Sequence, residues 1–210
     1  MRTFLLGGAR SGKSSLATRW AGERSKSVCC VVTAVASDDE MAARIDAHRR
    51  ERPQHWRVRE EPRRLSAAVR DESRTGGLLL VDCLTLWTAN CLWPPEKFGA
   101  GPQPAGTVQT TAVAQPSSAA PVPTAQASTA PGDTQADLPG WYAERDAFVT
   151  SVLTTPNEII IVSNEVGTSL VPENAAARLF RDEQGRLNQL VAAVCDAVFL
   201  VTAGLPLRLK

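Results

Sequence analysis
Short apolar runs punctuate the chain at residues 3–6, 28–35, 78–81, 159–162 and 197–201. Each is compact and does not alternate with polar residues, the pattern of strands buried on both faces of a parallel sheet. Helix-like stretches lie between them. The first, at residues 13–21, places Leu16 and Trp20 four apart. The second covers about residues 38–51 and opens with Ser37, Asp38, Asp39 and Glu40, the S-x-x-E spelling of a capping box, before Met41 and Ile45 begin an apolar stripe. Alternating strands and helices predict an α/β fold: a mostly parallel sheet with helices on both faces.

One region departs from this rhythm. Residues 99–138 are built from Ala, Pro, Thr, Gln, Ser and Gly, with Asp133 and Asp137 as the only charges. Such a segment buries too little apolar surface to offset the entropy of ordering, so the expectation is a disordered surface insertion within a single domain spanning residues 1–210.

The loop between the first strand and the first helix carries the chemistry. Gly7, Gly8, Ala9, Arg10, Ser11, Gly12, Lys13 and Ser14 fit G-x-x-x-x-G-K-[ST], after an apolar strand and before a helix, which is the context a P-loop requires. Glycines let backbone N–H groups turn around phosphate oxygens. Lys13 then reaches the β and γ phosphates, and the Ser14 hydroxyl ligates Mg²⁺. A second metal ligand is expected at the end of a neighbouring hydrophobic strand, and Asp82 closes the run at residues 78–81. Asp82 also reads as a helix N-cap; the P-loop favours the metal role.

The two histidines, His48 and His55, share one segment with Arg44, Arg49, Arg50 and Arg52. His48 follows Met41 by seven positions and Ile45 by three, which puts it on the inward stripe of its helix as a partly buried, satisfied side chain. Clustered guanidinium groups suit phosphate and keep a catalytic role open, whereas Arg49 and Arg50 also fit a solvated helix face. Ser163, Asn164, Glu165, Val166 and Gly167 place polar residues at the carboxyl end of a strand, the edge where open α/β sheets bind ligands.

Bulk properties narrow the partners. A formal net charge of +1, with 21% charged residues, gives no electrostatic reason to expect nucleic acid or an acidic membrane. No run approaches the ~20 apolar residues of a membrane span, and the N-terminal apolar stretch is too short for a signal peptide. Five cysteines, two of them adjacent at Cys29 and Cys30, read as buried reduced thiols in a cytoplasmic protein.

Taken together, GGARSGKS, TAVASDDEMAARIDAHRRERPQHW, VDCLTLWTAN, VSNEVGTSLVPEN, FRDEQGRLNQ and VFLVTAGLPLRLK resemble the bifunctional adenosylcobinamide kinase and adenosylcobinamide-phosphate guanylyltransferase family of cobalamin biosynthesis. The resemblance covers nearly everything outside residues 99–138. It implies phosphorylation of adenosylcobinamide with ATP or GTP, then transfer of GMP from GTP to adenosylcobinamide-phosphate through a guanylylated histidine. By position that histidine is His48, with Lys13 in catalysis. The resemblance places nucleotide contacts on the P-loop residues Gly7 to Ser14, on Val32, Thr33 and Ala34, on Arg49, Arg50, Glu51 and Arg52, and on Glu60 and Asp82. It also implies a homo-oligomer, with relatives suggesting a trimer. The chain departs from some members in carrying Ala47 beside His48 and a long segment after Trp93. Two other readings stay open on the residues alone: a P-loop small-molecule kinase without the transferase step, and a regulatory NTP-binding switch.

Overall fold
The computed structural model describes residues 1–36, 39–94 and 136–210, apart from the side chain of Arg44. The proposed capping box at Ser37 and Asp38 and most of the Ala/Pro/Thr/Gln-rich segment lie outside the described residues. Seven strands form one sheet in the order β3-β2-β4-β5-β1-β6-β7. They are β1 (Arg2–Gly7), β2 (Val28–Val32), β3 (Arg57–Glu60), β4 (Leu78–Asp82), β5 (Glu158–Asn164), β6 (Ala197–Thr202) and β7 (Leu205–Arg208). All pairings are parallel except the terminal hairpin of β6 and β7.

The described helices are α1 (Lys13–Arg24), α2 (Asp39–Glu51), α3 (Leu65–Glu72), α4 (Leu84–Leu92), α5 (Leu138–Thr154) and α6 (Ala175–Val194). Strand alternation splits the core in two. Phe4, Leu6, Cys29, Val31, Leu79, Val81, Ile159 and Ile161 face α3, α4, α5 and α6, whose Leu65, Trp87, Trp141, Phe148 and Leu187 are wholly buried. Leu5, Cys30, Leu80, Ile160 and Val162 face α1 through Leu16, Ala17 and Ala21. The expected doubly covered parallel sheet is therefore observed. Adjacent Cys29 and Cys30 point to opposite faces, as a strand requires. All five cysteines are free, four of them buried and Cys83 half-buried.

Three features differ from the sequence reading. The run at residues 28–35 yields a strand only to Val32; the buried Thr33 that follows donates from its hydroxyl to the Cys83 carbonyl at 2.7 Å and accepts from the Cys83 N–H at 3.2 Å. Asp137 and Leu138, read as part of the insertion, start α5: the Asp137 carboxylate accepts from the Gly140 N–H at 3.4 Å. Pro139 fits there because a first-turn proline has no N–H to waste. Finally, α2 has no buried residue among those described, so the Met41 and Ile45 stripe is only half covered.

Candidate active site
The glycine-rich loop is shaped by close contacts. A Cβ on Gly7 would lie 2.5 Å from Ser11 Oγ and 2.6 Å from the Val201 carbonyl, so no side chain fits there. Gly12 adopts φ 89° immediately before α1, the left-handed conformation that glycine accepts without a Cβ clash. The turn between β6 and β7 braces the loop, with the Gly204 N–H donating to the Ser11 carbonyl at 2.9 Å.

Lys13 opens α1 and is only 8% exposed. Its ammonium donates to the Gly8 carbonyl at 3.1 Å, so it lies folded back over the loop. Burial lowers its pKa, and neighbouring Cys83 and Asp82 partly oppose that shift. The next residue, Ser14, donates from its hydroxyl to Asp82 Oδ1 at 3.3 Å. Asp82 is the last residue of β4 and does not cap α4: the N-cap is Cys83, which makes no side-chain cap bond. The carboxylate thus faces the loop. Its other oxygen, Oδ2, is 3.9 Å from Arg52, with both side chains largely buried.

Parallel pairing delivers the carboxyl ends of β1, β2, β3, β4 and β5 to one edge. Val32 ends β2 there, Thr33 and Ala34 follow it, and the Thr33 carbonyl accepts from Asn90 Nδ2 at 2.9 Å. Glu60 ends β3 and binds Arg49 at 2.6 Å, so two of the residues expected to contact nucleotide are paired with each other. Arg50 is exposed on α2.

His48 corrects the inward-stripe reading. Its side chain is 49% exposed, and Nδ1 lies 3.8 Å from a carboxylate oxygen of Glu51. Because no described residue of α2 is buried, a three-and-four spacing there does not mark a buried face. The structure places His48 beside Arg49, in the turn that reaches Glu60, and leaves its ring accessible. His55 is also exposed, next to the buried Trp56.

A polar network at the end of β5 was only partly visible in the sequence. Ser163 donates to Asn188 Oδ1 at 2.8 Å and accepts from Gln184 Nε2 at 2.9 Å, and all three are buried. Asn188 Nδ2 donates to the Asn164 carbonyl at 3.0 Å, while the Asn164 N–H donates to Thr85 Oγ1 at 2.9 Å. The sequence marked Ser163 and Asn164 as edge residues. It gave no signal that Gln184 and Asn188, more than 20 positions on, would hold them.

Comparison with known proteins gives this geometry a context. Residues 3–209 match the model of a family described as cobinamide kinase / cobinamide phosphate guanyltransferase. The chain is 39% identical over 212 residues to the bifunctional adenosylcobalamin biosynthesis protein CobP of Pseudomonas aeruginosa, covering 100% of this chain and 98% of that one. It is 32% identical over 210 residues to the bifunctional adenosylcobalamin biosynthesis protein CobU of Escherichia coli, covering both chains completely. Among solved structures, a prototypical ATPase from the type III secretion system of pathogenic bacteria superposes with a TM-score of 0.51 at 11% identity. That match covers 96% of this chain and 51% of the other, a likeness of fold.

Proposed function
The chain belongs to the cobinamide kinase / cobinamide phosphate guanyltransferase family, and on that premise we propose that one nucleotide site at the carboxyl edge of its sheet serves both activities. The enzyme phosphorylates a cobinamide and then joins a guanylyl group to the phosphate. The observation that carries the single-site reading is the convergence of Lys13, Ser14, Asp82 and Arg52, drawn from three separate segments, on one loop.

In the kinase step the loop N–H groups and the Lys13 ammonium take the β and γ phosphates, and Arg52 adds a fixed positive charge beside them. Phosphoryl transfer is mainly positioning and charge neutralisation, so this set needs no strong base. The Ser14 hydroxyl and the Asp82 carboxylate are hard oxygen donors held together at 3.3 Å, a pair that fits Mg²⁺. When bound there, Mg²⁺ neutralises charge on the phosphate oxygens.

In the transferase step, His48 is the nucleophile. Its Nδ1 lies 3.8 Å from Glu51, so the attack is assigned to Nε2. Nε2 attacks the α-phosphate of GTP, the bond to pyrophosphate breaks, and a phosphoramidate forms. An oxygen of cobinamide phosphate then displaces the imidazole, which splits one hard displacement into two. The nucleotide contacts on Val32, Thr33, Ala34, Arg49, Arg50, Glu51 and Glu60 belong to the same proposal, with the Arg49–Glu60 pair opening to admit nucleotide.

The acceptor is adenosylcobinamide, and GTP or ATP feeds the first step. Five free thiols support a reducing, cytoplasmic setting. Among the described residues no helix is long and apolar enough to cross a membrane. The exposed apolar side chains of Leu170, Leu205 and Leu207 support a homo-oligomer, with the trimer the resemblance implies.

The test is to incubate the protein with GTP, Mg²⁺ and adenosylcobinamide and to identify the products by mass. The proposed mechanism predicts adenosylcobinamide-phosphate, then adenosylcobinamide-GDP, with pyrophosphate released beyond one equivalent per protein only when the phosphorylated acceptor is present. Lys13→Ala should abolish the first product. Unchanged phosphorylation by that variant would sink the assignment of the loop.

A further inference from the structure
The sequence VSNEVG ends the strand that separates the P-loop from Asp82, and the mechanism above leaves its asparagine without a task. In the sheet, β5 lies between β1 and β4. Gly7 pairs with Asn164, and Asp82 pairs with Val162, two residues earlier on β5. Asn164 is therefore level with the first residue of the phosphate loop and one strand repeat beyond the Asp82 row.

Side-chain alternation sets its direction. Ile160 and Val162 belong to the core under α1, the helix that starts at the loop, so Asn164 takes the same face. Leu78 and Leu80 put Asp82 on that face too. Ser163 points the other way, into the network with Gln184 and Asn188. The carboxamide of Asn164 thus occupies the phosphate side of the sheet, between Gly7 and the Asp82 strand.

The backbone there is fixed on both sides. The Asn164 N–H is held by Thr85, its carbonyl is held by Asn188, and the Glu165 N–H donates to the Gly7 carbonyl at 3.1 Å. Yet Asn164 Oδ1 is buried with no hydrogen-bond partner, as is Ser11 Oγ against the Cα of Gly7. A buried polar group left unmade is costly, and a half-turn of the carboxamide about its Cβ–Cγ bond puts the N–H at the unpartnered position, where a ligand oxygen completes it.

We infer that Asn164 contacts the γ-phosphoryl group of the bound triphosphate, its carboxamide N–H donating to a γ oxygen and so distinguishing triphosphate from diphosphate. This rests on the reading of residues 7–14 as the triphosphate site. Lys13 and the loop N–H groups grip both kinds of nucleotide through the β-phosphate. A neutral amide reached only by the γ group adds selectivity without adding charge. Asn164 also clamps the group that leaves for the acceptor hydroxyl, which favours in-line attack.

The experiment compares the affinities of β,γ-imido-GTP and GDP, both with Mg²⁺, for the wild type, Asn164→Ala and Asn164→Asp. Melting temperature is recorded alongside. Asn164→Ala should lose about ten- to a hundredfold in affinity for the imido triphosphate, the worth of a hydrogen bond to a charged oxygen, while GDP affinity stays within about twofold. The near-isosteric Asn164→Asp exchanges the donor for a negative charge, so its triphosphate loss should be at least as large with GDP again spared. Equal losses for both nucleotides, or no loss for the imido triphosphate, would overturn the inference. A wild type that binds neither nucleotide would instead remove the loop assignment, and this inference with it.

Discussion
The Ser14 hydroxyl and the Asp82 carboxylate meet at 3.3 Å although 68 positions separate them in the chain. One lies in the first turn of α1 and the other closes β4, so their meeting fixes the loop against the sheet. Asp82→Asn keeps the shape and removes the charge. It should lower Mg²⁺-dependent phosphorylation by on the order of a hundredfold, with little change in melting temperature. Steady-state assays across a Mg²⁺ titration decide it; full activity would remove Asp82 from the site.

Glu183 on α6 is wholly buried. Its carboxylate accepts from Trp141 Nε1 at 2.8 Å and from the Tyr142 hydroxyl at 3.3 Å, and it also pairs with Arg186. Trp141 in turn packs edge-on against Trp87 at 5.2 Å. Glu183→Ala leaves a buried indole N–H without an acceptor and opens a cavity among α4, α5 and α6. Urea unfolding should show a loss of about 3 kcal/mol. A loss below about 1 kcal/mol, the scale of an exposed pair, would mean the cluster adds little.

Asp196, before β6, holds Arg2 on β1 through a 2.7 Å ion pair and accepts the Arg2 N–H at 2.7 Å. Hydrogen bonding to Arg2 lowers the Asp196 pKa from 3.8 to about 2. A carboxylate with a depressed folded pKa stabilises above its unfolded pKa, and that stability fades as pH falls from 3.8 towards 2. The pair is partly exposed, so its worth is at most about 1 kcal/mol after solvent screening. Asp196→Asn should be less stable than wild type at neutral pH and should converge with it near the acid end of that window. Parallel thermal melts from neutral to acid pH test this; a constant gap would contradict it.

The Leu92 carbonyl accepts from the Asp137 N–H at 2.8 Å, so the two ends of the Ala/Pro/Thr/Gln-rich segment are already joined at its base. Replacing residues 95–135 with a short Gly/Ser linker should leave both activities and the melting temperature nearly unchanged, because loop-closure cost varies only logarithmically with length. An insoluble product, or one destabilised by several kcal/mol, would show that the segment carries structure.

How much of this was legible in the sequence depended on burial. The inner strands announced themselves because a strand covered on both faces has to be apolar throughout. At the sheet edges β3, spelled RVRE, and β7, spelled LPLR, are largely exposed, so neither carries that signature. The loop was readable residue by residue, since Gly7 and Gly12 are required by contacts and by φ. His48 was misplaced on an inward stripe because spacing says which residues share a helix face but not whether anything covers it. The pairing of Ser163 with Gln184 and Asn188 depends on how α6 lies on β5, which no local pattern encodes.

In the proposed transferase step His48, exposed on α2, carries the guanylyl group between GTP and the acceptor. The most direct measurement is to mix the protein with Mg²⁺ and GTP labelled at the α-phosphate, denature it, and ask what stays attached. A phosphoramidate on His48 should give label that survives base and is lost in acid, and none from γ-labelled GTP. His48→Ala should lose the label while keeping some kinase activity, and His55→Ala should retain it. Label that persists in His48→Ala and vanishes in His55→Ala would contradict the account.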